Sequence, residues 1–321
     1  PIHLFIFWIE FAIYFFNSKN NIIYCNDFYL GFLGALLTKF KKSISIYDSH
    51  ELIVDYKNSK SFSEKFFYYL EKYTIKHHQI VIAANKERAE IMKDFYKLSS
   101  IPLVIRNISQ IPILKKNYNK DLNKICSKLY SKDFKYIVYS GDINFDRDIK
   151  YLVESLFFLP DYTKLVLIGS GVNYKDVLEM RKNNHILKKR LILLGRQPES
   201  LVHKILRFCH IGVVIYSLEG KNNFYCASNK IYEYTQANLP VVTSAQPIFR
   251  KIIKKYKIGK IFQKIDYEDF SFEIASSIKK TLKNYLYYKN NIHSFTLNND
   301  FNKEQEKLLY SVLEFINKKN I

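Results

Sequence analysis

Short apolar runs that stop at a glycine or a polar cluster, each followed by a helix-length segment, recur along most of the chain. This alternation constrains the fold more than any other feature. Ile22-Ile23-Tyr24-Cys25 stops at Asn26-Asp27, Ser43–Tyr47 stops at Asp48-Ser49-His50-Glu51, and Gln79–Ala84 stops at Asn85, a residue suited to cap the helix that follows. Phe28–Phe40 and Ser63–Lys76 between them read as helices. Repetition of this kind predicts parallel sheets, with the polar strand ends lining the ligand crevice.

Leu98–Ser131 interrupts the pattern with two prolines and many Lys and Asn. Alternation then restarts with strands at Tyr136–Gly141, Lys164–Gly171, Arg190–Gly195, Ile211–Tyr216 and Pro240–Thr243. The helices among them fall near Ile149–Phe158, Pro198–Cys209, Asn229–Asn238 and Gln246–Tyr256. Two α/β domains are the simplest account of 321 residues. The expected division is 1–110, a linker at 111–131, a second domain at 132–289 and a helical segment at 290–321. Within the last, Glu304–Ile321 reads as an amphipathic helix with Leu308, Leu309, Val312, Leu313 and Ile316 on one side.

An apolar content of 48% excludes disorder, collagen-like structure and a disulfide scaffold. Cys25, Cys126, Cys209 and Cys226 lie far apart without a CxxC pair, so reduced thiols and no metal are expected, in a cytoplasmic protein. The run Ile2–Phe16 is broken by Glu10 and is short for a membrane span, so it reads as a buried or interfacial helix.

The net charge of +20 calls for an anionic partner. Residues 1–97 carry 13 basic and 10 acidic side chains, whereas 98–321 carry 37 and 20, so the excess is regional. It concentrates in Arg181–Arg207 and Arg250–Lys264, which makes an anionic membrane surface a candidate partner and suggests a peripheral position on the inner face of the cell membrane. Nucleic acid is not expected, because no zinc finger, RRM signature or helix-turn-helix pattern accompanies the charge.

Three strand ends finish in glycine: Gly141, Gly169-Ser170-Gly171 and Gly195. Glycine there lets a ligand approach the backbone, and a helix N-terminus beyond it offers N–H groups to phosphate. Tyr174 prevents a GxGxxG fingerprint, and no P-loop occurs. The strongest local signal is Ala227–Val242, where Ser228 or Asn229 would cap a short helix carrying Lys230 and Glu233. Such a helix could hold a diphosphate while Glu233 accepts hydrogen bonds from ribose hydroxyls.

The segments "LLGRQPESLVHKILRFCHIGVVIYSLE" and "KIYEYTQANLPVV" together resemble the C-terminal nucleotide-sugar domain of retaining GT-B glycosyltransferases of family 4. "IIYCNDFYLGFLGALLTKFKKSISIYDSHEL" resembles the acceptor-side domain of the subgroup with an Asp-x-His-Glu strand end, and "YSGDINFDRDIKYLVESLFFLPDYTKLVLIGSG" the first donor-binding strand and helix. The resemblance implies two Rossmann-like domains facing a cleft, with a final helix returning to the first. It implies a nucleoside diphosphate sugar as donor, no separate cofactor, and a surface-glycan or lipid-linked acceptor. An inactive GT-B scaffold or regulatory protein is one alternative reading, and a nucleic-acid-binding protein, which the charge permits, is the other.

Carried over by position, Arg147 contacts the donor diphosphate, with Gly141 at its strand end, and Glu233 binds the ribose. Arg196 and Pro198 border the base, and Ser228, Asn229 and Lys230 approach the donor. His50 and Asp27 attend the sugar and the acceptor hydroxyl. Two positions depart from the family pattern: Asp142 stands where a second cation is usual, and Tyr225 where a second glutamate is. The sugar pocket would then draw on Asn222, Asn223, Phe224 and Tyr225. The resemblance also implies a glycine-rich βα unit that is not seen ahead of Pro1, which would leave the aromatic first helix exposed.

Overall fold

A computed structural model describes residues 2–19, 22–41, 43–111, 131–263 and 269–319. The expected linker at 111–131 falls almost wholly outside these residues, as do Cys126 and Lys264. The described chain folds as two compact units. The first contains Pro1–Asn107, Gly220–Ala227 and Asn302–Ile321; the second contains Ile108–Glu219 and Ser228–Phe301.

The first unit holds a parallel sheet in the order β1 (Ile22–Asn26), β2 (Ile44–Ser49), β3 (Ile80–Ala83) and β4 (Leu103–Val104). Helices Phe28–Phe40, Phe62–Thr74 and Lys86–Tyr96 connect them. Asn85 caps the last of these, its Oδ1 accepting from the Arg88 N–H at 2.8 Å. The opening helix, Ile2–Asn17, packs Trp8, Phe11, Ala12 and Phe15 on the core, a spacing that puts all four on one side. Phe5, Ile13 and Tyr14 on its other sides are exposed.

The final helix, Phe301–Lys319, covers the other face of this sheet. Leu308, Val312, Phe315 and Ile316 pack against Ile44, Ile46, Ile80 and Ile82. Leu309 and Leu313 turn outward and are exposed, contrary to expectation: the inward stripe follows positions 308, 312, 315 and 316, one helical row. Glu304, nearly buried at the helix start, accepts from the Arg106 backbone N–H and from its Nε, both at 2.8 Å.

The second unit has a six-stranded parallel sheet in the order β10-β9-β8-β5-β6-β7. The strands are β5 (Lys135–Ser140), β6 (Thr163–Ile168), β7 (Leu191–Gly195), β8 (Ile211–Val214), β9 (Val241–Thr243) and β10 (Gly259–Ile261). The order reverses between β5 and β8, the kind of switch point beside which α/β sheets bind ligands. Helices Ile149–Glu154, Tyr174–Asn183, Glu199–Leu206, Lys230–Gln236, Pro247–Tyr256 and Phe270–Lys283 flank the sheet, and its core is a continuous apolar cluster that includes Tyr139, Phe262 and Phe270.

Candidate functional site

In the second unit the glycine strand ends form a staircase. The Gly169 N–H donates to the Gly195 carbonyl and the Gly141 N–H to the Ile168 carbonyl, each at 2.8 Å. Gly169 sits at φ +145°, and a Cβ there would fall 1.8 Å from the Gly141 oxygen, so no other residue fits. A Cβ on Gly141 would lie 2.6 Å from Lys230 Cε. The bare backbone at β5 is therefore what admits the Lys230 side chain.

Lys230 is the first residue of the Lys230–Gln236 helix. Its Nζ lies 5.3 Å from the Tyr216 ring centre and 5.5 Å from that of Tyr139. The Arg147 guanidinium lies 5.6 Å from the same Tyr216 ring. Two cations thus converge on one aromatic ring just past the ends of β5 and β8. The loop that carries Arg147 is held by backbone bonds from Ile143 N–H to Ser170 and from Asn173 N–H to Ile143, and by the Phe145 N–H donating to Asn173 Oδ1 at 2.9 Å. Asp142, in the position where a cation was expected by resemblance, reaches Arg147 Nε only at 4.0 Å. The pair that assembles is Arg147 with Lys230.

The helix around Glu233 differs in detail from expectation. Asn229 occupies the capping position without a side-chain cap bond, and Ser228 Oγ instead accepts from the Lys230 N–H at 3.3 Å. Seven residues make a small dipole, so two full charges outweigh it here. Glu233 is partly buried, and burial holds its carboxyl above the usual range, with Lys230 pulling it back down and Glu199 adding to the rise. Glu233 lines a small crevice with Glu199, Val202, His203 and Gln236. Arg196 and Pro198, just before Glu199, are both exposed.

In the first unit, Asp27 joins β1 to its helix at φ 63°, ψ 174°, a backbone region that non-glycine residues rarely adopt. Its N–H donates to the Asp48 carbonyl at 2.8 Å, which ties the ends of β1 and β2. Burial raises the Asp27 carboxyl above its ordinary pKa. Asp27, Glu51, Tyr56 and Glu64 line one pocket with Phe28, Tyr29, Ser63 and Phe67. His50 is half exposed, and its Nε2 lies 3.4 Å from Asp48 Oδ2, an oxygen that also accepts from the Tyr24 hydroxyl at 2.6 Å. The hydrogen bond to Asp48 raises the pKa of His50.

The Gly220–Ala227 segment is part of this first unit. Asn222 Oδ1 accepts from the Leu52 N–H at 2.9 Å and from Arg88 at 2.8 Å. The Tyr225 carbonyl accepts from Arg88 Nε at 2.7 Å, and the Tyr225 side chain packs against the first unit's core. Arg88 also donates to the His50 carbonyl at 2.6 Å. One buried guanidinium therefore fixes both the His50 strand end and this segment. Sequence reasoning did not single out Arg88, Tyr139 or Tyr216. An Arg in the first turn after the Asn85 cap was the available signal for Arg88; an aromatic residue past a strand end signals nothing specific.

The basic clusters at Arg181–Arg207 and Arg250–Lys264 are partly turned inward. Arg181 donates to Leu191, Arg250 to Ala245, and the nearly buried Arg190 to Thr163, Leu159 and Pro160, all at backbone oxygens. Among the described residues, no helix is long and apolar enough to cross a membrane.

The family model described as Glycosyl transferases group 1 matches residues 123–294, just over half of the chain. A search of curated proteins finds no match. Among solved structures, HepE from Anabaena in complex with UDP and glucose has a TM-score of 0.73 at 14% identity, covering 96% of this chain and 81% of its own. Sucrose-phosphate synthase from Thermosynechococcus elongatus has a TM-score of 0.70 at 15% identity, covering 96% and 77%. WaaG, a glycosyltransferase involved in lipopolysaccharide biosynthesis, has a TM-score of 0.64 at 12% identity, covering 87% and 80%. These likenesses establish the GT-B fold.

Proposed function

The chain belongs to the glycosyl transferases group 1 family, and on that premise we propose that it moves a sugar from a nucleoside diphosphate sugar to a surface-glycan or lipid-linked acceptor, with retention of anomeric configuration. The convergence of Arg147 and Lys230 on Tyr216, beside the Gly141 strand end, is the observation that carries this reading. A diphosphate gains charge on its leaving oxygen as the glycosidic bond breaks. Fixed cations stabilise that charge more than they stabilise the ground state. Glu233, with its carboxyl beside Lys230, suits the ribose hydroxyls as acceptor.

In this reading the acceptor oxygen bonds to the anomeric carbon on the face from which the diphosphate departs. Its proton passes to the leaving phosphate oxygen, so no protein nucleophile is required. Asp27 and His50 orient the acceptor and the transferring sugar, and Arg196, Pro198, Ser228 and Asn229 border the nucleotide. HepE was solved with UDP and with UDP-glucose, which supports a uridine nucleotide as the first donor to try.

The test is binding and hydrolysis of UDP-, GDP- and ADP-linked sugars by the wild-type chain and by Glu233→Ala. Binding of one donor class, weakened by the substitution, is the expected result. No binding of any donor, or equal binding after the substitution, would overturn the reading. NMR of the product's anomeric proton decides between retention and inversion.

A further inference from the structure

Lys230 and Arg147 come together without the close carboxylates that usually hold inward-turned cations. Among the described residues Lys230 pairs with no carboxylate. Its Nζ has the Tyr216 hydroxyl at 3.5 Å and the rings of Tyr139 and Tyr216 instead. Arg147 has the Tyr216 ring and, at 4.0 Å, the carboxylate of Asp142, whose side chain is 43% exposed.

Both rings are held in place by buried neighbours. Tyr139 is buried on β5, and its hydroxyl donates to the Asp142 carbonyl at 2.8 Å, which ties the ring to the loop that leads to Arg147. Tyr216 follows β8, and its backbone is pinned twice. Its N–H donates to Ser244 Oγ at 3.1 Å, and its carbonyl accepts from Gln246 Nε2 at 3.0 Å. Ser244 and Gln246 are themselves buried, and the centre of the Tyr216 ring lies 6.4 Å from that of the buried Phe249. Anchored in this way, the ring is in position before any ligand arrives.

A ring and a carboxylate leave a cation in different states. A carboxylate holds a cation by cancelling its charge, so an arriving anion must first displace it. A tyrosine ring attracts a cation through its quadrupole and cancels none of the charge. We propose that Tyr216 is a positioning residue of the donor site: its ring, with Tyr139 as a second wall for Lys230, gathers both cations and leaves their two charges for the diphosphate. This role rests on the donor reading of the same site, and Tyr216 acts through Arg147 and Lys230 rather than on the sugar.

The experiment is isothermal titration of the full chain with UDP, uridine and inorganic pyrophosphate, for wild type and for Tyr216→Phe, Tyr216→Leu and Tyr216→Glu. Tyr216→Phe keeps the ring and should bind UDP and pyrophosphate within about twofold of wild type. Tyr216→Leu keeps apolar bulk without the quadrupole and should weaken both about tenfold, with uridine unchanged. Tyr216→Glu offers the cations a carboxylate and should weaken both about a hundredfold, although it holds the cations at least as tightly. Circular dichroism melts report whether each variant folds; if Tyr216→Leu does not, Tyr216→Glu against Tyr216→Phe decides. Wild-type affinity for UDP and pyrophosphate in Tyr216→Leu or Tyr216→Glu would overturn the proposal and leave the donor reading in place. Equal losses in Tyr216→Phe and Tyr216→Leu would also overturn it, because the hydroxyl and not the ring would then matter. Pyrophosphate binding that follows the expected order, without UDP binding, would support the role of Tyr216 and sink the donor reading. A wild-type chain that binds neither anion would overturn both.

Discussion

The Arg147 guanidinium lies 5.6 Å from the centre of the Tyr216 ring, and the Lys230 ammonium lies 5.3 Å from that same centre. Two like charges gathered on one ring repel each other, and Asp142 at 4.0 Å offsets only part of this. A diphosphate would relieve the repulsion. Arg147→Ala and Lys230→Ala should each weaken nucleoside diphosphate binding by about 1.5–2.7 kcal/mol, or roughly ten- to hundredfold, while leaving nucleoside binding nearly unchanged. Isothermal titration with UDP and with uridine checks both statements. Equal losses for the two ligands would mean that the cations do not face the phosphates.

Asp27 combines a strained backbone with a candidate acceptor contact. Glycine adopts φ 63°, ψ 174° freely, so Asp27→Gly should raise stability by about 1 kcal/mol, net of glycine's greater unfolded entropy. It should also abolish or sharply reduce transfer to acceptor, with donor binding retained. Urea unfolding and a transfer assay measure the two effects independently. A variant that is both more stable and fully active would remove Asp27 from the site.

Glu71 is buried among the Tyr47 and Tyr96 hydroxyls, which donate to its two carboxylate oxygens at 2.6 and 2.5 Å. Burial pushes its pKa up to about 7, against the tyrosine hydrogen bonds that lower it. The folded state therefore holds a proton that the unfolded chain releases near 4.5. That contribution to stability is fully present below pH 4.5 and fades as pH rises towards 7. Glu71→Gln should flatten this decline, so that the melting temperature of the variant gains on wild type between those limits. Parallel melting curves at every pH would show that Glu71 is not the titrating group.

Glu304 accepts from both the backbone and the side chain of Arg106. Glu304→Ala should cost about 3 kcal/mol, because a partly buried guanidinium loses its carboxylate. Hydrogen exchange should then quicken first in the Phe301–Lys319 helix. Unchanged exchange there would mean that the apolar row from Leu308 to Ile316 holds the helix without the ion pair.

Among the described residues, eight of the ten strands were legible because each is an apolar run with a polar or glycine stop, whereas β4 and β10, two and three residues long, were too short to show a pattern. Asn85 was legible as a cap because capping depends on immediate neighbours in sequence. The partnership of Arg147 with Lys230 was not, since it depends on Tyr216, an aromatic residue whose spacing from either cation carries no pattern. Tyr225 was read with the donor half by resemblance, because it stands eight positions before Glu233, where a second glutamate is usual. Three-dimensional bonding of Arg88 to Asn222 and Tyr225 places that stretch with the first unit instead. Leu309 and Leu313 failed for a plainer reason: on a helix with more apolar residues than one face needs, composition does not say which ones turn inward.

The first unit is thus spelled in three separate passages of the gene, and one of them, Gly220–Ala227, is only eight codons long. Grafting residues 1–107 onto the second unit of a relative would transplant Arg88 without the oxygens of Asn222 and Tyr225 that it binds. The foreign chain would have to supply equivalents at the same points. Recombination that aims to exchange the first unit therefore needs the eight-residue passage to travel with it, and a single crossover cannot deliver it.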